Sequence, residues 1–253
     1  MKKTFGVAAL LGLVATGAMA TSAFAQCGAL GSGVLIDFDE GFAYESIYTP
    51  LVGVNSGSQP GSQMTAVGKV VLFCAPLSDK NALISNPAYE YTFIINATST
   101  GTLTAPFGSS GTKWDTDYTG GTFSVYEGTP RNAPAANAMP ASPPNATVPS
   151  TFTEGTAILS GVFDTFHIQT TRSSAGTWGS SVRADYRFTG GTLYGRVGGG
   201  ASLFVGLWCS AGVGNGHCDI PAGYTAKPNA AWNSPGTTDA TSSTWGAIKQ
   251  LYR

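Results

Sequence analysis

Tyr89-Glu-Tyr-Thr-Phe-Ile-Ile-Asn96 is the stretch on which the fold class turns. Tyr89, Tyr91, Phe93 and Ile95 recur at every second position, the period at which an extended chain returns a side chain to the same face. Aromatic and β-branched residues at that period describe a strand with one face on a core. Further candidates lie on either side: Val34–Phe38, Lys69–Cys74, Thr122–Tyr126, Ala157–Phe163 and Phe166–Thr170. Ser202–Trp208 is almost continuously apolar, which suits a strand buried on both faces. Clusters of Gly, Ser, Thr and Pro separate these segments, and apolar residues at helical spacing are nearly absent. Many short strands with Gly-rich turns predict an all-β domain, a β-sandwich or jelly-roll-like fold.

The two ends are read differently. Lys2 and Lys3, the apolar run Phe5–Val14 and the small-x-small triplet Ala23-Phe24-Ala25 form the three parts of a secretory signal over residues 1–25. That run is shorter than the roughly 20 residues a bilayer span needs. Cleavage after Ala25 puts Gln26 first and leaves Cys27 without the small preceding residue that lipid attachment requires. Residues 26–253 fit one domain, since β domains reach about 200–250 residues. Within it, 129–151 carries Pro130, Pro134, Pro140, Pro143, Pro144 and Pro149. Prolines at that density cannot continue a central strand, so a long exposed loop is expected. From Pro221 to the end, 221–253, a loosely packed segment is expected, with Trp232 and Trp245 as its large apolar residues.

Only 11% of residues are charged and the formal net charge is −1, with no basic cluster. Binding a phosphate backbone takes concentrated Lys and Arg, so nucleic acid is excluded as a partner. No stretch of the mature chain is apolar for long enough to span a membrane as a helix. The four cysteines, Cys27, Cys74, Cys209 and Cys218, all follow the signal. An even count in an exported chain predicts two disulfides. Cys209 and Cys218 flank a Gly-rich stretch that turns back easily, which favours Cys209–Cys218 with Cys27–Cys74.

Residues with chemistry are sparse. The two histidines, His167 and His217, have no nucleophile elbow near them, so a serine triad has no support. Paired acids are limited to Asp37-Phe-Asp39-Glu40 and Asp115-Thr-Asp117. Asp115, Asp117 and Thr119 before Gly120 approach the opening of a calcium loop. The acid that should close the loop is misplaced, however: its twelfth position is Tyr126, and Glu127 comes one later. Residues 115–123 also align without gaps on 185–193, sharing Thr-Gly-Gly-Thr, and Arg187 stands where Asp117 does. That shared part reads as a structural device in which the Gly pair supplies a bulge or a positive φ. Trp114, Tyr118 and Tyr126 mix with these acids in a way that suits stacking on a sugar ring while bonding its hydroxyls.

The expectation is an exported, non-enzymatic protein acting at the cell surface, in the extracellular matrix or in a periplasm, by binding or self-assembly. Its partner would be a glycan, a protein or further copies of itself. It needs no cofactor, calcium at the Asp115 loop being the one candidate. The alternative is a carbohydrate-binding or glycosidase-like secreted protein with dispersed acids.

Overall fold

Alternation along the chain resolves, in a computed structural model, into twelve strands among the described residues, whose inward positions are mostly apolar and whose outward positions are mostly polar. The structure describes residues 27–28, 30, 33–38, 41–134, 150–212, 220–221 and 223–235. The strands are β1 (Val34–Phe38), β2 (Gly41–Glu45), β3 (Tyr48–Thr49), β4 (Gly57–Ser58), β5 (Gln63–Lys69) and β6 (Leu72–Phe73). Four long ones follow: β7 (Glu90–Phe107), β8 (Gly111–Gly128), β9 (Thr156–Arg172) and β10 (Trp178–Gly190). The last two are β11 (Ala201–Ser210) and β12 (Ala226–Asn233).

Ten strands form one antiparallel sheet in the order β11-β10-β9-β8-β7-β5-β2-β12-β1-β6, and β11 also pairs with β12. That extra ladder, Phe204↔Trp232 to Ser210↔Ala226, closes β2, β5 and β7–β12 into a ring. The all-β single-domain reading therefore holds, with sheet facing sheet across one core. Both layers belong to a sheet rolled on itself, which removes the free edges of those eight strands.

An eight-stranded ring is just wide enough to be filled by side chains. Here Phe38, Phe93, Phe123, Phe204 and Trp232 fill it, all nearly or fully buried. Trp232 lies 5.3 Å from Phe93 and 5.0 Å from Phe204 between ring centroids, so side chains of β7, β11 and β12 meet across the interior. Gly161 makes the packing possible on one wall. A Cβ there would overlap the Phe123 ring and the Arg187 carbonyl. Outward positions of the long strands carry Asn96 and Thr98, Asp115 and Asp117, His167 and Gln169, Arg183 and Arg187. A polar outside around an apolar inside is the reverse of a transmembrane barrel. No helix among the described residues is long and apolar enough to cross a membrane.

Several expectations change. Lys69–Cys74 is not one strand: β5 ends at Lys69 and β6 begins at Leu72. The two candidates Ala157–Phe163 and Phe166–Thr170 are one strand, β9, with a register shift against β10 between Asp185 and Tyr186. The loosely packed segment from Pro221 is corrected most. Its residues Ala226–Asn233 form the ring-closing strand β12, and Trp232 is fully buried. Trp245 and the rest of 236–253 lie outside the described residues, as do the signal region and 135–149 of the Pro-rich stretch.

Both ends of that stretch are docked on the outer face of β2, β5 and β7. Glu90 Oε1 accepts hydrogen bonds from the Asn132 and Ala133 amides, at 3.0 and 2.9 Å. The Thr92 hydroxyl donates to the Phe152 carbonyl at 2.9 Å. Phe152, Ala133, Phe42, Val67 and Tyr224 form a small apolar cluster outside the barrel.

The Thr-Gly-Gly-Thr echo is structural in both copies. Gly120 has φ +63° beside a register shift between β7 and β8, and Gly191 has φ +100° just past β10. Of the disulfides, Cys27–Cys74 is formed, tying the segment before β1 to the turn after β6. Cys209 is also disulfide-bonded, and its expected partner Cys218 lies outside the described residues.

Candidate functional site

The hairpin tips β7–β8 and β9–β10 and the end of β2 lie at the same end of the barrel, here called its mouth. Strands β7 to β10 are long enough to overhang the ring there. Residues 46–62, between β2 and β5, fold into that overhang as a plug containing the β3–β4 ladder. Specific hydrogen bonds seat it. Trp114 Nε1 donates to Gly53 O at 3.2 Å and Ser56 Oγ at 3.1 Å. The Ser58 amide donates to Thr102 Oγ1 at 2.8 Å, and Tyr48 Oη donates to Ala211 O at 2.9 Å.

Beneath the plug the core changes character, from aromatic hydrocarbon to oxygen. A small cavity with room for about one water molecule is lined by Glu45, Tyr48, Ser58, Thr116, Tyr118 and Ser210, among others. Glu45 ends β2 pointing inward and is 5% exposed. Tyr118 Oη donates to its Oε1 at 2.9 Å, and Ser58 Oγ lies 3.0 Å from the same phenol oxygen. Oε2 is buried without a hydrogen-bond partner. Burial pushes the Glu45 carboxyl up to about 7, while the Ser58, Tyr118 and Ser62 hydroxyls pull the other way. Burial, reinforced by the nearby Glu45 charge, holds the Tyr48 and Tyr118 phenols well above their ordinary range. At neutral pH this site offers a carboxyl poised between its two protonation states, in a small cavity beneath the plug.

The expected site residues divide between two faces of β8. Trp114 and Tyr118 point inward and are 3% and 5% exposed, so neither offers its ring to a sugar at the surface. Tyr126 is half-buried near the far end of β8, beside a register shift. Asp115 and Asp117 point outward, because successive side chains of a strand alternate faces. The aromatics and acids that look like one cluster in sequence are thus on opposite sides of the wall.

On the outer face Asp117 Oδ1 meets His167 Nδ1 at 2.8 Å, and Asp115 Oδ1 lies 3.4 Å from His167 Nε2. Asp115 also takes Lys113 at 2.6 Å and Gln169 Nε2 at 2.9 Å. Partial burial opposes its ionisation, yet Lys113 and Gln169 hold its carboxyl below the usual range. Thr119 is exposed, and all three candidate calcium ligands lie in strand β8 rather than in a loop. Among the described residues no group of three or more His, Cys, Asp or Glu is placed to hold a metal ion. Accordingly, millimolar calcium is expected to leave the melting temperature unchanged in the parent and in Asp117→Ala. A rise in the parent that the variant lacks would make this a metal site.

Asp37, on β1, pairs with Ala231 and Leu72, whereas Asp115 lies on β8 between Leu103 and Gln169. Asp39, Glu40 and His217 lie outside the described residues. Two other acids with buried or half-buried contacts serve the fold. Glu90 faces Lys69 at 3.6 Å, and Glu127 takes Lys80 at 2.8 Å and the Tyr91 hydroxyl at 2.7 Å. Glu45 is the residue that sequence reasoning passes over. Its one signal is an acid closing the apolar run Gly41-Phe-Ala-Tyr-Glu45.

Compared with protein-family models, curated proteins and solved structures, the chain has no match.

Proposed function

We propose that the chain is exported and works outside the cytoplasm by binding rather than by turnover, with the plugged mouth as its binding site. The observation that carries this reading is Glu45. A carboxyl buried with one oxygen unpaired costs the fold several kcal/mol relative to an apolar residue, by the usual order of such penalties. Mouths of small barrels are common ligand sites, and perturbed acids concentrate in functional clefts. Trp114 and Tyr118, expected from sequence to meet a ligand, would do so here by releasing the plug and lining the space beneath it.

Amide hydrogen exchange is the test, with a panel of saccharides, small amines and short peptides. A true ligand slows or speeds exchange in residues 46–62 and raises the melting temperature by mass action. Ligands that stabilise the chain without changing exchange in 46–62 would move the site elsewhere and overturn the proposal.

Self-assembly is a second reading, favoured by a separate observation. Val52 and Val54 on the plug are 76% and 77% exposed, and Leu103 and Phe107 on the β7 overhang at the same end are exposed too. Apolar side chains gathered at one end suit contact with a partner surface. Dependence of the sedimentation coefficient on protein concentration, lost in Val52→Ser/Val54→Ser, would support it; a concentration-independent monomer would remove it.

A further inference from the structure

We infer that the mouth cavity is a site for one protonated nitrogen, an ammonium ion or the head of a small primary amine, with the Glu45 carboxylate as its counter-charge. This rests on the mouth being the binding site and names the chemistry that the site selects.

The polar side-chain atoms that line the cavity are oxygens, Trp114 Nε1 apart, and that N–H is already given to the plug. Their protons are largely committed elsewhere. Tyr118 gives its proton to Glu45 Oε1, and Tyr48 gives its own to the Ala211 carbonyl. Thr116, in the lining, is hydrogen-bonded to Thr102 at 2.8 Å, which commits one of their two hydroxyl protons. With Ser58 Oγ bonded to the Tyr118 phenol, the lining offers the cavity chiefly lone pairs, together with Glu45 Oε2, which is buried without a hydrogen-bond partner. Glu45 is the only residue with a formal charge among the described residues lining the space.

An acceptor-rich, donor-poor enclosure with one negative charge selects a guest that only donates. A carboxylate, phosphate or carbonyl guest would set acceptor against acceptor. A water fills the volume but brings two lone pairs of its own and no charge for Glu45. An ammonium group has donors in every direction, no acceptor, about the size of a water, and the charge that offsets Glu45.

Thermal unfolding of the mature chain at about pH 8 and constant ionic strength tests this, with ammonium or methylammonium chloride replacing tetramethylammonium chloride. Ammonium is expected to raise the melting temperature saturably, on the order of 5 °C at a hundredfold excess over Kd, and methylammonium, a methyl group larger than the one-water space, to raise it less. Glu45→Gln should abolish the rise, and Ser58→Ala, which keeps the charge, should weaken it. Tetramethylammonium, which has no N–H and is too large, should give none. An equal rise in Glu45→Gln, or a rise with sodium or potassium but not ammonium, overturns the inference. If ammonium has no effect while another ligand of the panel alters exchange in residues 46–62, the inference fails and the mouth remains the binding site. If none does, both fall.

Discussion

From about pH 4.5 to about pH 7.5 the parent chain is expected to lose on the order of 3 kcal/mol of folding stability that Glu45→Gln does not lose. The folded-state pKa of Glu45 is raised to about 7 from an ordinary value of 4.5. Between those values the folded chain holds a proton that the unfolded chain has released, so stability falls as pH rises and levels off above the folded value. Each unit of separation is worth about 1.4 kcal/mol. Tyr48 and Tyr118, the titratable groups that face Glu45 within the mouth, are held high enough to stay protonated throughout this window. Asp115 and Glu127, whose carboxyls are held low, contribute in the opposite direction and at more acid pH. Because they are common to parent and variant, their effects cancel in the difference. The glutamine amide of the variant keeps an oxygen to accept from Tyr118 and carries no charge to bury. Urea midpoints measured across the range should therefore converge at the acid end and separate at the alkaline end, with the variant the more stable. Parallel curves would mean that Glu45 is solvated or paired, and would remove the premise of the mouth site.

How much of this was legible in the sequence varies with the kind of signal. β1 was readable to the residue at Val34–Phe38, because its apolar run is bounded by turn residues. The long strands were readable as segments but not in length. β7 continues from Asn96 to Phe107 through Thr, Ser and Gly, which beyond Thr98 pair with β8 and do not bury an apolar side chain at each inward position. Closure of the sheet was not readable, since it depends on β11 meeting β12 and on a shared interior, not on either strand alone.

Glu45 was hidden by a reversal of faces. Phe42 and Tyr44 alternate as core residues would, which assigns Ala43 and Glu45 to solvent. In the structure Phe42 joins the small cluster outside the barrel with Tyr224 and Phe152, and Ala43 and Glu45 turn inward. The rule of alternation held; which face was the core could not be known without the Pro-rich segment docking outside. The same rule, applied to β8, separates Trp114 and Tyr118 from Asp115 and Asp117. Its neglect is what made one stretch of β8 read as a sugar platform or a calcium loop.

A chain ending at Pro221 is expected not to fold. Loose packing from that point, as read from the sequence, would instead impair assembly or surface retention more than folding. The structure decides between these through β12. Removing it strips β11 of the ladder from Phe204 to Ser210 and leaves β1 and β2 without their neighbour. The rest of the ring would then present open edges on β11 and β2, around an interior missing one of its two fully buried tryptophans. Trp232 contacts Phe38, Phe93, Phe123 and Phe204, with centroids 5.0 to 5.8 Å away. Trp232→Ala alone should cost about 3–5 kcal/mol, because the rings around it belong to four strands and cannot close on the space together. In a domain of this size that lowers the melting temperature by on the order of 10 °C. Circular dichroism of the truncated chain should show no cooperative thermal transition, and the substituted chain a lowered one. A cooperative transition in the truncated chain would show that the ring folds without β12, and that the C-terminal strand is an accessory laid on a finished sheet.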